Sequence, residues 1–151
     1  RIPYGGGIGA IEHHSESPEA YFAHTAGLRV VSPATPADAY TMIQHAITCP
    51  DPVIFLEPKS RYWQKGAVPA EVDLTPSGVV QGLESARTVR TGMDVTLAGY
   101  GPTVTTMMKA ADAAAVRAAG IDGMAVISAI CGQPDVGAAT RELVESWATA
   151  R

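Results

Sequence analysis

The chain is poor in several features that direct proteins to particular classes. Among 151 residues there are two cysteines, 6% aromatic residues, and 11 lysines and arginines against 15 acidic residues. Cys49 and Cys131 are too few for a disulfide framework and lack Cys-x-x-Cys spacing, which favours a reducing, cytosolic compartment. The net charge of −4, without a basic cluster, argues against nucleic acid as a partner.

The sequence also lacks a long apolar run and a leader of the secretory type. No stretch approaches the roughly 20 apolar residues of a membrane span, so no membrane partner is expected. The chain begins at Arg1 without an initiator methionine, from which we expect a fragment of a longer polypeptide. With 46% hydrophobic residues it is still long enough to form a globular core.

What the sequence does contain is a segment with four glycines in five residues, at positions 5, 6, 7 and 9. This density disfavours helix and strand, and indicates backbone with positive φ or close approach by a bulky neighbour. The segment leads into His13, His14 and Ser15, with carboxylates on both sides. We predict a loop built for contact, followed by a helix over residues 17–24 with Ser17 as its N-cap.

Strand-like and helix-like segments alternate after this loop. The pattern predicts a strand over residues 28–32 and a helix opened by a capping box at Thr35, Pro36 and Asp38. A wholly apolar run at residues 53–56 predicts a strand buried on both faces. Strand, helix and strand in succession define a βαβ unit, so we expect an α/β fold with a parallel sheet.

The regular pattern is lost over residues 61–85, which are rich in proline, glycine and polar residues. We predict a linker without regular structure there. A second α/β unit is expected to follow, with a strand over residues 94–99, a helix opening at Pro102 and a parallel strand over residues 124–127. A last amphipathic helix is predicted over residues 136–150.

Three runs of the sequence resemble one enzyme family. They are Glu-His-His-Ser-Glu-Ser-Pro-Glu-Ala-Tyr-Phe-Ala-His at 12–24, Gly-Leu-Arg-Val-Val at 27–31 and Asp-Pro-Val-Ile-Phe-Leu-Glu-Pro-Lys at 51–59. They are similar to the beta subunit of the thiamine-diphosphate-dependent decarboxylating component of pyruvate and branched-chain 2-oxoacid dehydrogenase complexes. The resemblance implies that residues 1–60 are the C-terminal half of a transketolase-like pyrimidine-binding domain, and residues 86–151 a truncated transketolase C-terminal-like domain.

The resemblance also implies a reaction, the oxidative decarboxylation of a 2-oxoacid with transfer of the acyl group to lipoyl. The position that matches the family's active-site histidine is His14, and imidazole suits proton transfer near neutral pH. Ser15 and Glu16 would support it by hydrogen bonding. Glu16 stands where the family usually has glutamine, and its charge would raise the pKa of His14. His13 is expected to be structural.

Thiamine diphosphate and its Mg²⁺ would be bound at the interface with an alpha subunit. In the family, the glutamate that activates the cofactor precedes the position of Arg1, and the diphosphate motif belongs to the alpha subunit, so no cofactor-binding residue is assigned here. The family also has a structural potassium site with mainly carbonyl ligands. The matching residues are Ala46, Ile47, Cys49 and Asp51, of which the last two depart from the family's usual Asp and Asn.

The implied partners are the alpha subunit, a second beta subunit in a heterotetramer, and the lipoyl domain and core of the acyltransferase component, in a bacterial cytoplasm. The sister acetoin dehydrogenase is an alternative, because its beta subunit shares these motifs. An inactive remnant that retains only subunit association is another, because residues 128–135 depart from the family's pattern. The sequence does not discriminate pyruvate from branched-chain substrates.

Two other motif interpretations find less support. His14, Ser15 and Glu16 fit the His-x-Glu of zinc deaminases, but the Pro-Cys-x-x-Cys partner is missing. The glycines fit a dinucleotide fingerprint, yet we predict no apolar strand before them and no long helix after them.

Overall fold

The computed structural model describes residues 1–12, 15–93, 95–117 and 124–126. Its elements are β1 (Ile2–Tyr4), α1 (Glu19–Ala23), β2 (Arg29–Val31), α2 (Pro36–Thr48), β3 (Val53–Pro58), a 3₁₀ turn (Lys59–Arg61), α3 (Pro76–Glu84), β4 (Arg87–Arg90), α4 (Thr103–Arg117) and β5 (Met124–Val126). Within these residues, no helix is long and apolar enough to cross a membrane. The helix predicted over residues 136–150 lies outside them.

The centre of the fold is a three-stranded sheet in the order β1, β3, β2, with both pairs parallel. Val30 of β2 lies beside Ile54 of β3, and Ile2 of β1 lies beside Leu56. This confirms the α/β class and the βαβ unit. The predicted burial of residues 53–56 is confirmed at Phe55 and Leu56, which are 5% and 0% exposed, whereas Val53 and Ile54 are half-buried.

Alternate residues of the strands build two cores on opposite faces of the sheet. The face covered by α1 has a core of Tyr4, Val30 and Leu56, with Phe22 packed against it. The face covered by α2 and α3 has a core of Val31, Met42, Phe55 and Leu83. The sheet is therefore enclosed between helices on both sides.

Helix α2 begins as the sequence predicts. The Asp38 N–H donates to Thr35 Oγ1 at 3.1 Å, and the Thr35 N–H donates to the Asp38 carboxylate at 3.0 Å. The capping box is complete, with Pro36 in the first turn. This start fixes where the helix leaves the carboxyl end of β2.

Helix α1 is shorter than predicted, and Ser17 does not cap it. The N-cap position belongs to Pro18, and no side chain bonds to the cap, because Ser17 lies one residue too early and is exposed. The turn that follows α1 contains Gly27 in the left-handed conformation, with φ of +85°. This glycine redirects the chain from α1 into β2.

The sequence predicts a linker without regular structure over residues 61–85, but this segment is only partly irregular. It contains α3, whose Leu83 is buried against α2 and β3. The Gly78 N–H donates to Thr75 Oγ1 at 3.3 Å, which repeats the Thr-Pro opening of α2. Glycines inside the helix obscured it in the sequence. The domain boundaries at 60 and 85 stay a prediction.

The second unit differs from the prediction in its strands. Residues 95–99 belong to no strand, and Leu97 packs instead against Val104 of α4. The strand predicted at 124–127 exists as β5, but it pairs antiparallel with β4 rather than parallel. The sequence of β4, Arg-Thr-Val-Arg, lacks the apolar pattern that would have predicted it. Helix α4 confirms the helix opening at Pro102.

Candidate functional site

The glycine-rich loop starts directly after β1 and is closed at its base. The Gly5 N–H donates to the carbonyl of Glu16 at 2.8 Å, and the Ser15 hydroxyl donates to the carbonyl of Ala10 at 2.6 Å. The first bond joins the start of the loop to its end, as in other compact loops whose ends lie close together, and the second joins its middle to its end.

Three glycines of this loop have φ values that other residues rarely adopt. They are +83° at Gly5, +90° at Gly7 and +73° at Gly9. A Cβ atom at Gly5 or Gly9 would meet nothing within 4 Å. Of the two explanations that the sequence offered, positive φ is the one that applies at these two positions.

Two of the three predicted catalytic residues, Ser15 and Glu16, are described by the structure. His13 and His14 lie outside the described residues. The Ser15 side chain is half-buried and its hydroxyl proton is used in the bond to Ala10. Glu16 is exposed and gives its backbone carbonyl to the closure of the loop. The predicted support of His14 by these side chains stays a prediction.

A strand does precede the glycines, which corrects our expectation. Strand β1 has three residues and includes Pro3, so its sequence carries no recognisable strand pattern. The helix that follows the loop, α1, has only five residues. A dinucleotide fingerprint, which needs a longer helix directly after its glycines, therefore still does not fit.

A buried pair of hydroxyl groups lies at the base of the loop. Tyr4 ends β1 and Ser32 follows β2; they are 2% and 3% exposed, and Tyr4 Oη lies 2.7 Å from Ser32 Oγ. Both stand at the carboxyl ends of parallel strands, the edge at which α/β proteins bind ligands. Burial raises the pKa of Tyr4 to about 12, so the phenol keeps its proton to a higher pH than an exposed tyrosine does.

The turn before α4 approaches this pair from the second unit. A Cβ atom at Gly101, where φ is +51°, would overlap Ser32 Oγ and lie 2.7 Å from Tyr4 Oη. Only glycine brings the backbone so close. Beside it, the Tyr100 hydroxyl donates to Glu19 Oε1 at 3.4 Å. The turn thus contacts residues on both flanks of the loop.

A cavity of about 750 Å³ lies on the α2 side of the sheet, apart from the loop. It is lined by Arg1, the start of α2, the carboxyl end of β3 and residues up to 64. On its wall, the Glu57 carboxylate accepts hydrogen bonds from Arg1 and, at 2.8 Å, from the Tyr62 hydroxyl. Burial opposes ionisation of Glu57, but these bonds outweigh it and lower its pKa.

The predicted potassium residues lie where α2 ends and the chain turns into β3. They are Ala46, Ile47, Cys49 and Asp51. The Asp51 carboxylate accepts from Arg29 Nε at 2.9 Å and from Arg29 Nη2 at 2.6 Å, so a cation already balances its charge. Carbonyl groups at a helix C-terminus do suit a hard cation. In the described part of the chain, no three His, Cys, Asp or Glu side chains cluster as metal ligands.

Sequence reasoning missed Tyr4, Ser32 and Gly101 as parts of one site. Tyr4 stands in a strand too short to predict, and Ser32 is a small polar residue after an apolar strand. A polar residue at the carboxyl end of a parallel strand is a signal that marks Ser32. The approach of Gly101 is a contact between distant parts of the chain and has no local signal.

Comparisons with known proteins agree with this architecture. Residues 1–64 match the transketolase pyrimidine binding domain. The chain is 55% identical over 115 residues to the pyruvate dehydrogenase E1 component subunit beta of Leifsonia xyli, covering 76% of this chain and 32% of the relative. It is 52% identical over 114 residues to the 3-methyl-2-oxobutanoate dehydrogenase subunit beta of Mycobacterium tuberculosis, covering 76% of this chain and 31% of that relative. The chain thus spans about a third of the length of these relatives.

A solved structure is similar over most of the described fold. It is a split-gene transketolase described as an inactive beta4 tetramer, with a TM-score of 0.57 and 19% identity. The match covers 91% of this chain and 41% of the other. This similarity supports the fold alone.

The parallel sheet and the domain match together define the class, a chain with a transketolase-type pyrimidine-binding domain. The identities to the bacterial relatives narrow the assignment. The chain belongs to the family of E1 beta subunits of the pyruvate and branched-chain 2-oxoacid dehydrogenases. This confirms the resemblance found in the sequence, and the acetoin alternative is not favoured over it.

Proposed function

We propose that this chain is part of a beta subunit that, with an alpha subunit, oxidatively decarboxylates a 2-oxoacid and passes the acyl group to lipoyl by means of thiamine diphosphate. The observation that carries the proposal is the identity of 55% and 52% to beta subunits named for pyruvate and 3-methyl-2-oxobutanoate dehydrogenases. A 2-oxoacid with a short linear or branched side chain is therefore the substrate class.

In this proposal the glycine-rich loop presents the imidazole of His14 to the reacting acyl group. When the lipoyl disulfide opens, the sulfur that leaves needs a proton, and an imidazolium N–H supplies it near neutral pH. The described residues support this role through the closed base of the loop, where Ser15 bonds to Ala10 and Gly5 to Glu16. A loop closed at its base holds its side chains in a narrower range of positions.

Thiamine diphosphate supplies the carbanion chemistry of such enzymes. The described residues include no cluster of carboxylate, His or Cys ligands that would hold its Mg²⁺. In this proposal, thiamine diphosphate and its Mg²⁺ are bound at the interface with an alpha subunit.

The test is reconstitution of the full-length beta chain with its alpha subunit. We expect 2-oxoacid-dependent acylation of a lipoyl domain, and we expect His14→Ala to abolish it. His24→Ala is the matched control, because His24 is exposed at the end of α1 and should leave the rate unchanged. A wild-type complex that assembles but acylates nothing would support the remnant instead. Unchanged acylation by His14→Ala would remove His14 from the reaction.

The charge of Glu16 gives a second test. If this carboxylate raises the pKa of His14, Glu16→Gln lowers that pKa, because a nearby negative charge stabilises the imidazolium. The limb of the pH profile of lipoyl acylation that reports His14 should then move to lower pH. A profile identical to that of the wild type would contradict the role of Glu16.

Association with an alpha subunit and a second beta subunit is supported by large apolar side chains that stay exposed. Ile11, Tyr21, Ile47 and Trp63 are 83%, 78%, 75% and 93% exposed. Aromatic side chains such as those of Tyr21 and Trp63 are enriched at protein–protein interfaces. We expect the co-expressed subunits to purify as a heterotetramer by native mass, and to bind the lipoyl domain and core of an acyltransferase component. Full-length beta chains that remain separate from the alpha subunit would contradict this.

A structural potassium ion at residues 46–51 is part of the proposal. The carbonyl-rich end of α2 supports it, whereas the pairing of Asp51 with Arg29 leaves that carboxylate unsuited as a ligand. We expect the complex to melt at a higher temperature in KCl than in NaCl of equal concentration. Asp51→Asn should keep the difference. Equal melting temperatures in the two salts would exclude the site.

A further inference from the structure

The turn at residues 100–101 contacts residues on both sides of the loop of residues 5–16. The backbone of Gly101 abuts Tyr4, immediately before the loop, and the Tyr100 hydroxyl reaches Glu19, just beyond its end. We propose that the turn at residues 100–101, together with Tyr4 and Ser32 that it contacts, is a positioning clamp that sets the base of the loop, and through it the imidazole used in acyl transfer. This inference rests on the proposed function of the loop.

The chemistry of the contact favours positioning over simple packing. Tyr4 ends β1 and Ser32 follows β2, two strands that are separated by β3, and the two buried hydroxyls are joined by one 2.7 Å hydrogen bond. A phenylalanine and an alanine would fill the same space without a directional bond. A buried hydrogen bond has a strict distance and angle, so it fixes the end of β1, where the loop begins, relative to β2.

The turn itself is held firmly. The Thr103 hydroxyl donates to the carbonyl of Tyr100 at 2.6 Å, and Arg61 Nη2 donates to the carbonyl of Pro102 at 3.1 Å. In the first turn of α4, Val104 is 4% exposed and packs against Ala34. Because the turn is anchored in this way, it restricts the positions of the residues that it contacts at the base of the loop.

A purely structural role predicts a different result from a positioning role. If Tyr4 and Ser32 only stabilise the fold, their loss lowers stability and reduces decarboxylation and acyl transfer together. If they position the loop, the step that needs the imidazole falls selectively, because a displacement of about 1 Å can reduce a rate by roughly 100-fold.

The experiment uses the full-length beta chain with its alpha subunit and the variants Tyr4→Phe, Ser32→Ala and Tyr100→Phe. Tyr40→Phe, on the outer side of α2 and 40% exposed, is the matched control. We measure lipoyl acylation, decarboxylation with an artificial electron acceptor, and hydrogen exchange of the amides of residues 5–12. For Tyr4→Phe we expect acylation to fall about 10- to 100-fold, decarboxylation to stay within about twofold, and loop amides to exchange about tenfold faster.

The readouts separate the clamp from the proposed function. Loop exchange is measured without any turnover, so it tests the clamp even if the wild-type complex acylates no lipoyl domain, which would contradict only the proposed function. Wild-type loop exchange in Tyr4→Phe and Ser32→Ala would overturn the clamp, and so would an equal fall of both activities. Tyr100→Phe removes only a half-buried hydroxyl and serves as the test if the buried variants do not fold.

Discussion

Two of the contacts that the chain beyond residue 61 makes with the parallel sheet and its helices differ in chemistry. The first, which we call the α2–α3 seam, consists of Met42, His45, Gly82 and Leu83. The second is the clamp of Tyr4, Ser32 and the turn at 100–101. The seam is mainly apolar and lies away from the loop, whereas the clamp is a hydroxyl pair at the loop's base. The comparison indicates that the seam supplies stability and the clamp supplies position.

A close approach at a glycine occurs in both places. His45 Nε2 lies 3.1 Å from the carbonyl of Asp73, which can only accept, so this nitrogen carries the proton. His45 Nδ1 is buried with no hydrogen-bond partner in the described part of the chain, and a Cβ atom at Gly82 would overlap it. Glycine is therefore required at the seam for space, and at the clamp for both space and positive φ.

One of the two largest expected effects on stability comes from the seam. Leu83→Ala removes a side chain that is 2% exposed, and we expect it to lower the free energy of unfolding by about 2–5 kcal/mol. Leu74→Ala, at a site that is 40% exposed, is the control and should change it by less than about 0.5 kcal/mol. Urea denaturation measures both. In Leu83→Ala the ratio of lipoyl acylation to decarboxylation should not change. A selective fall in acylation would contradict the claim that the seam supplies only stability.

At the clamp, Gly101→Ala is expected to act through two separate costs. The left-handed backbone costs an alanine about 1–2 kcal/mol, and overlap with Ser32 and Tyr4 adds about 1–3 kcal/mol. Gly27→Ala is the matched variant, because φ there is +85° and no atom lies within 4 Å of a Cβ. Gly27→Ala should lower the free energy of unfolding only by the backbone cost of about 1–2 kcal/mol. Equal losses in urea denaturation would mean that the turn has room to move away from the hydroxyl pair.

How well the sequence predicts each part of the fold depends on how far apart in the chain the interacting residues lie. The α2–β3 frame was predicted well, because the capping box at Thr35 and the apolar run of β3 are local patterns. Helix α3 and strand β4 were missed because their stability comes from packing and pairing with distant residues. The loop was recognised from its glycines, but the clamp was not, since Gly101 and Tyr4 meet only in the folded chain.

The buried phenol of Tyr4 predicts a dependence of stability on alkaline pH. Burial raises its pKa in the folded state to about 12, from the ordinary tyrosine value of about 10, because desolvation opposes the phenolate. The stabilisation is complete below pH 10 and is lost as the pH rises from 10 towards 12, since the unfolded chain releases its proton first. Tyr4→Phe should lose less stability than the wild type over this range. Parallel curves for the two proteins in denaturation at pH 9, 10 and 11 would show that Tyr4 ionises freely.

The smallest expected losses of stability are at two helix N-termini, that of α2 at the seam and that of α1 beside the clamp. Thr35→Ala removes an N-cap that accepts the Asp38 N–H at 3.1 Å, and should cost about 1 kcal/mol. Ser17→Ala should cost less than about 0.5 kcal/mol, because Ser17 is exposed and Pro18 holds the N-cap position of α1. The two residues looked equivalent in the sequence, as each precedes a proline at the start of a helix. Equal losses on urea denaturation would mean that Ser17 caps α1 in solution, and that the loop's end is held by its own helix as well as by the clamp.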